Sequence, residues 1–72
     1  MEYLRIRFPK DRPVLVNGNP SGRTNIVIEI EAGTHTISLA PPPDFRPTEI
    51  TVVLEPNQTS PLDPREVTFE TV

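Results

Sequence analysis

Apolar and polar side chains alternate along most of this chain with a period of two. Leu4, Ile6 and Phe8 share one parity, while Tyr3, Arg5 and Arg7 share the other. Successive side chains leave opposite faces of a pleated strand, so the spacing predicts a strand over Glu2–Phe8. Pro9 ends it, because proline cannot donate to a ladder. A second alternating run sets Ile26, Ile28 and Ile30 against Val27 and Glu29. After Ala32-Gly33 the alternation resumes, with His35, Ile37 and Leu39 on one face and Thr34, Thr36 and Ser38 on the other. A glycine at that turn suits positive φ. Joined as a hairpin with one shared apolar face, these two runs need pairs whose numbers sum to an odd value. The expected register therefore sets Ile30 opposite His35, Ile28 opposite Ile37 and Ile26 opposite Leu39. It makes His35 a mostly buried rim member of the core.

The remaining stretches follow the same rhythm. Val14–Asn17 reads as a short strand, and Asn17-Gly18 is a favoured turn pair because both residues tolerate positive φ. Gly18–Gly22, carrying Pro20, is expected to be a loop. Pro41-Pro42-Pro43 stops the central run, and Pro47 closes the loop that follows. Thr48–Glu55 reads as a strand with Ile50, Val52 and Leu54 inward, Pro56–Pro64 as a loop, and Arg65–Val72 as a last strand with Val67 and Phe69 inward. Arg5 and Arg7 leave the outer face of the first strand and call for an acidic neighbour. Either the last strand, with Glu66 and Glu70, or the one bearing Glu29 and Glu31 supplies it. No stretch carries helical periodicity, and ten prolines lie mostly between the strands. The pattern predicts an all-β fold: a small antiparallel-rich β-sandwich of about six or seven short strands, without helix, formed by residues 1–72 as a single domain.

Composition narrows the function classes. A chain of 72 residues buries only roughly 60% of its unfolded surface, so the core is thin. There is no cysteine, hence neither a disulfide framework nor a thiolate metal site. A net charge of -3 argues against nucleic acid, which asks for clustered excess Lys and Arg. No apolar run approaches the ~20 residues that span a bilayer as a helix, so no membrane insertion is expected. The charged, alternating N-terminus is unlike a signal peptide. The expected location is the cytoplasm for a complete chain, or the envelope for a piece of a longer exported protein.

Val14-Leu15-Val16-Asn17-Gly18, Gly22-Arg23-Thr24 and Ala32-Gly33-Thr34-His35-Thr36-Ile37-Ser38-Leu39 together resemble the PEGA domain. That family repeats a short strand ending in Asp/Asn-Gly, a Gly-x-Thr-Pro turn and a Pro-Gly-x-His-x-Ile/Val hairpin. Asp44-Phe45-Arg46-Pro47 is similar to the family's Gly-Tyr-x-Pro loop. The chain departs from the pattern in three places. Lys10-Asp11-Arg12-Pro13 stands where the name-giving tetrapeptide belongs, Asn25 follows Thr24 in place of proline, and Asp44 replaces glycine. The resemblance implies a small β-sandwich module of a bacterial protein, often multidomain or envelope-associated, with no general enzymatic activity.

Few residues are candidates for chemistry. His35 is the only histidine, and a zinc ion favours His and Cys over the carboxylates that would have to complete its shell. Ser38 faces away from His35, which disfavours nucleophilic catalysis. Glu29 and Glu31 share a face, but nothing around them separates two pKa values for acid–base work. Asn17, Asn19, Asp44 and Asp63 do not have the spacing of a calcium loop. Asn57-Gln58-Thr59 is a formal glycosylation sequon, and Pro61-Leu62-Asp63-Pro64 a loose polyproline motif that more commonly stiffens a loop. The stretch that stands out is Pro41–Pro47, whose Asp44, Phe45 and Arg46 place an aromatic between opposite charges. Such residues are over-represented at binding hot spots. The structural alternative folds Phe45 back as a plug on the open end of the core. The expected protein is thus no enzyme and holds no cofactor. It is a structural or protein-binding module, monomeric or weakly oligomeric, with Asp44, Phe45 and Arg46 as candidate contacts. The second reading is a cytoplasmic adaptor that recruits a partner by adding a strand to a sheet edge. A carbohydrate-binding module is a weaker third, because no tryptophan is present and only Tyr3 and Phe45 remain as platforms.

Overall fold

The computed structural model describes residues 1–72. It contains nine short strands and no helix: β1 (Glu2–Arg7), β2 (Pro13–Val16), β3 (Asn19–Arg23), β4 (Val27–Ile30), β5 (Gly33–Leu39), β6 (Phe45–Arg46), β7 (Ile50–Leu54), β8 (Arg65–Thr68) and β9 (Glu70–Thr71). One sheet has the order β4-β1-β8, a second the order β3-β2-β5-β7, and β6 and β9 form a two-stranded ribbon. All pairs are antiparallel except β1–β8. Each alternating run turns its apolar parity to one core of 13 buried residues. The first sheet gives Leu4, Ile6, Ile28, Ile30 and Val67, with Phe8 and Phe69 just beyond its strands; the second gives Val14, Val16, Ile37, Leu39, Val52 and Leu54.

The expected central hairpin does not form. β4 pairs with β1 (Leu4 opposite Ile28), while β5 pairs with β2 and β7 (Ile37 opposite both Val16 and Ile50). The chain instead crosses from one sheet to the other at Glu31-Ala32, and Gly33 opens β5 with φ +130°. Ile28, Ile30, Ile37 and Leu39 face the core as parity demands, but across the sandwich rather than along one ladder. Ile26 lies outside β4 and is 59% exposed. The cause is a turn at Thr24-Asn25, with Asn25 at φ 67°, which breaks the parity one residue before the strand begins.

The Asn17-Gly18 turn is as expected, with φ of 52° and 84° at its two residues. Both central residues at positive φ give the turn whose twist matches a hairpin. Asn19–Arg23 is therefore a returning strand rather than a loop, bulged opposite Val14/Leu15. It is an exposed edge strand, where Pro20 is tolerated. The two other long runs are shorter than expected. Thr48–Glu55 contracts to β7, and Arg65–Val72 divides into β8 and β9 around the buried Phe69. Arg5 and Arg7 both reach Glu66 of β8, a single carboxylate between two guanidinium groups.

Candidate functional site

The Pro41–Pro47 loop is organised from beneath by Arg12, a residue nine-tenths buried. Its Nη1 donates to the carbonyls of Ala40 (3.2 Å) and Pro42 (3.0 Å) and to Asp44 Oδ1 (2.8 Å). Its Nη2 donates to Asp44 Oδ2 at 3.0 Å, completing a two-pronged ion pair. The guanidinium also lies 5.6 Å from the centroid of the Phe8 ring, within cation–π range. Lys10 Nζ adds a third contact to Asp44 at 3.0 Å. Hydrogen bonds from Arg12, and then from Lys10, hold the Asp44 carboxyl well below the usual carboxylate range. Asp44 is thus committed to its own chain.

Phe45 is half-buried and meets two core rings edge-on, Phe8 at 6.4 Å and Phe69 at 5.8 Å between centroids. Its backbone pairs with Thr71, and that of Arg46 with Glu70. The Arg46 side chain points to solvent, with only a loose 3.6 Å approach to Glu70. Of the three candidates, then, Asp44 is engaged by Arg12 and Lys10, Phe45 lies against the edge of the core, and Arg46 is open. An open groove of about 420 Å³ borders the same corner, lined among others by Arg7, Phe8, Asn25 and Phe69. The Asn25 amide is spent on the Phe8 backbone, accepting from its N–H at 3.2 Å and donating to its carbonyl at 2.7 Å.

A second polar cluster went unnoticed in the sequence. The Glu2 side chain is 2% exposed and accepts from the amides of Asn57, Gln58 and Thr59 and from the Thr59 hydroxyl. The Thr59 hydroxyl, followed by the Asn57 amide, lowers its pKa. The signal was there: Glu2 shares parity with Leu4, Ile6 and Phe8, so an acid had to enter the core face. Arg12 carries the same mark ahead of Val14 and Val16.

His35 is half-buried, less covered than the expected hairpin would have made it. In β5 it lies opposite Val52 of β7, at the end of the core nearest the sheet crossover. Its Nε2–H donates to the Glu31 carbonyl at 2.8 Å, leaving Nδ1 to accept from the Asn17 amide at 3.2 Å. Both ring nitrogens are therefore occupied. No three His, Asp or Glu side chains converge as a metal-holding group, and no helix is long and apolar enough to cross a membrane.

No curated protein and no solved structure matches the chain. The family model of the PEGA domain matches residues 6–67, from within β1 to within β8. That span takes in the Asn-Gly turn, the sheet crossover and the Arg12-held loop, so the chain belongs to the PEGA domain family.

Proposed function

We propose that residues 1–72 act as one non-catalytic structural or interaction module of a bacterial protein, contacting another protein through exposed surface rather than a cleft. One observation carries this reading: the polar groups that converge at Asp44, Glu2, Glu66 and His35 are engaged within the chain. Arg12 and Lys10 saturate Asp44, loop amides saturate Glu2, Arg5 and Arg7 share Glu66, and both His35 nitrogens are taken. Catalysis needs polar groups that are free to act on a substrate and aimed at one point. At the tip, Phe45 and the Asp44 clamp fix the backbone that presents Arg46, and a preorganised arginine is a favourable contact residue.

The test places a photo-crosslinking amino acid at position 46 in cells that naturally make the protein, with exposed Ser21 of β3 as control. A discrete protein adduct from position 46 and none from position 21 is expected. No adduct, or equal adducts from both positions, would remove the tip loop as a contact. Saturable turnover by the purified chain in a panel of hydrolase substrates would overturn the non-catalytic assignment.

A further inference from the structure

The outer edge of β7 is an open half-ladder. On β5, the Thr36 carbonyl accepts from the Asn17 amide and its N–H donates to the Asn17 side chain, while Ala40 N–H bonds Pro13. The even-numbered residues of β5 therefore turn their backbone groups toward β2 and the β2–β3 turn. Backbone direction alternates along a strand, so odd-numbered His35 and Ile37 turn theirs toward β7. Their partners are Val52 and Ile50. It follows that Thr51 and Val53 aim their N–H and C=O groups the other way, off the end of the sheet. No hydrogen bond outside the ladder reaches either backbone.

Proteins blunt such edges with proline, charge or bulges. β3 has Pro20 and a bulge, β4 has Glu29, and β8 follows Pro64 and carries Arg65 and Glu66. β7, Ile-Thr-Val-Val-Leu, has no proline and no charge, and its Val53 is 54% exposed. Instead it is bracketed by Glu49 and Glu55, neither of which enters any ion pair. These acids share parity with Thr51 and Val53 and stand about 20 Å apart along an extended chain.

We propose that β7 is a strand-addition site for an extended segment of another protein, rich in β-branched residues and carrying Lys or Arg six positions apart. Thr51 and Val53 supply the main-chain bonds, and Glu49 and Glu55 select the basic ends. A second copy of this chain is a poor occupant in the register that pairs the whole strand. Antiparallel self-pairing centred on Val52 sets Glu49 opposite Glu55 at both ends, and like charges directly opposite are destabilising. This inference rests on the interaction-module reading and names a surface distinct from the tip loop.

The test uses a labelled, end-blocked heptapeptide, Lys-Val-Thr-Val-Thr-Val-Lys, against the full chain by fluorescence anisotropy. Saturable binding is expected, weakened by salt and weaker by about tenfold when both Lys are Glu. Val53→Pro should abolish binding with the melting temperature little changed, because its N–H faces away from β5 and edge strands accept proline there. Glu49→Lys with Glu55→Lys should reverse the preference toward the Glu-ended peptide, a gain that mere unfolding cannot produce. Equal binding of both peptides, or binding insensitive to Val53→Pro in a folded protein, overturns the proposal. So does a stable dimer that Val53→Pro dissociates, which would make the occupant a second copy. Loss of this site leaves the adduct at position 46 untouched, whereas hydrolase turnover would strike the module reading itself.

Discussion

Replacing Phe45 with alanine decides how far the tip loop depends on its ring. Phe45 lies half-buried against Phe8 and Phe69, at 6.4 and 5.8 Å between centroids and with ring planes near perpendicular. Truncating a fully buried phenylalanine to alanine costs about 3–5 kcal/mol. A ring with one side in solvent forfeits roughly half of that, about 2 kcal/mol. The two edge-to-face pairs account for about 0.5–1.5 kcal/mol each. A chain of 72 residues has a total stability of roughly 4–11 kcal/mol. The substitution thus removes a substantial part of it and lowers the melting temperature by roughly 8–16 °C. Circular dichroism melts, with urea titration to fix the slope, read both quantities. Phe45→Leu restores apolar volume without the ring edges and should fall between the parent and Phe45→Ala. If Phe45→Ala melts within about 2 °C of the parent, the ring does not close the core. Its aromatic surface would then be free for a partner.

Other outcomes follow from the same geometry. Gly22→Ala would bring its Cβ to 2.8 Å from Cγ1 of the buried Ile28, so it should cost about 1–3 kcal/mol by overpacking. Ile28→Val should relieve part of that cost, and strictly additive melts of the two changes would refute the contact. Gly33→Val should cost on the order of 1 kcal/mol or more through backbone strain alone, since only His35 Nε2, at 4.0 Å, lies near a Cβ there; an unchanged melt contradicts the φ of +130°. Glu2 is held below its ordinary value by the Thr59 hydroxyl and the loop amides. Its stabilisation is therefore complete above the unfolded value of about 4 and is lost as the pH falls through the lower folded value. Glu2→Gln should flatten stability against pH in that acid window, and parallel curves for variant and parent would count against it. Arg12→Lys keeps the charge but not the fork, so the amides of Asp44 and Val72, which bond Pro42 and Asp44, should exchange faster; equal protection would mean the loop holds without Arg12.

Inward and outward faces were legible in the sequence because parity is a property of single strands. Leu4, Ile6, Val52, Leu54, Val67 and Phe69 all point where their parity sends them. The pairing of Asn17-Gly18 into a tight turn was legible for a local reason too, the positive φ both residues accept. Strand partnership was not. Two consecutive runs that share a core look the same whether they lie side by side or face each other across it. Ile28 and Ile37 satisfy either arrangement, so the odd-sum register was consistent and yet unused. What separates the cases is whether the connection returns the chain to the same sheet, and Glu31-Ala32-Gly33 contains nothing that periodicity can read. The tip loop was half legible. An aromatic between charges was visible, but Arg12, the group that spends one of those charges, reaches Asp44 only through the fold.

The thinness of the core explains why its polar residues matter so much. Six connections pass directly between the two main sheets or leave them for the ribbon. Along each crossing the backbone groups lie outside any ladder, yet buried ones must still find partners. Apolar burial cannot supply those partners, and a chain of 72 residues has little surplus burial to absorb the deficit. Each buried polar side chain answers one such crossing. Thr24 takes the Arg12 amide and donates to the Lys10 carbonyl, binding β1–β2 to β3–β4. Arg12 takes the carbonyls after β5, and Glu2 takes the amides between β7 and β8. With the crossings closed from within, the open main-chain valence that remains on the second sheet's apolar edge is at Thr51 and Val53. A partner that completes the ladder there adds bonds without disturbing any of the three clamps.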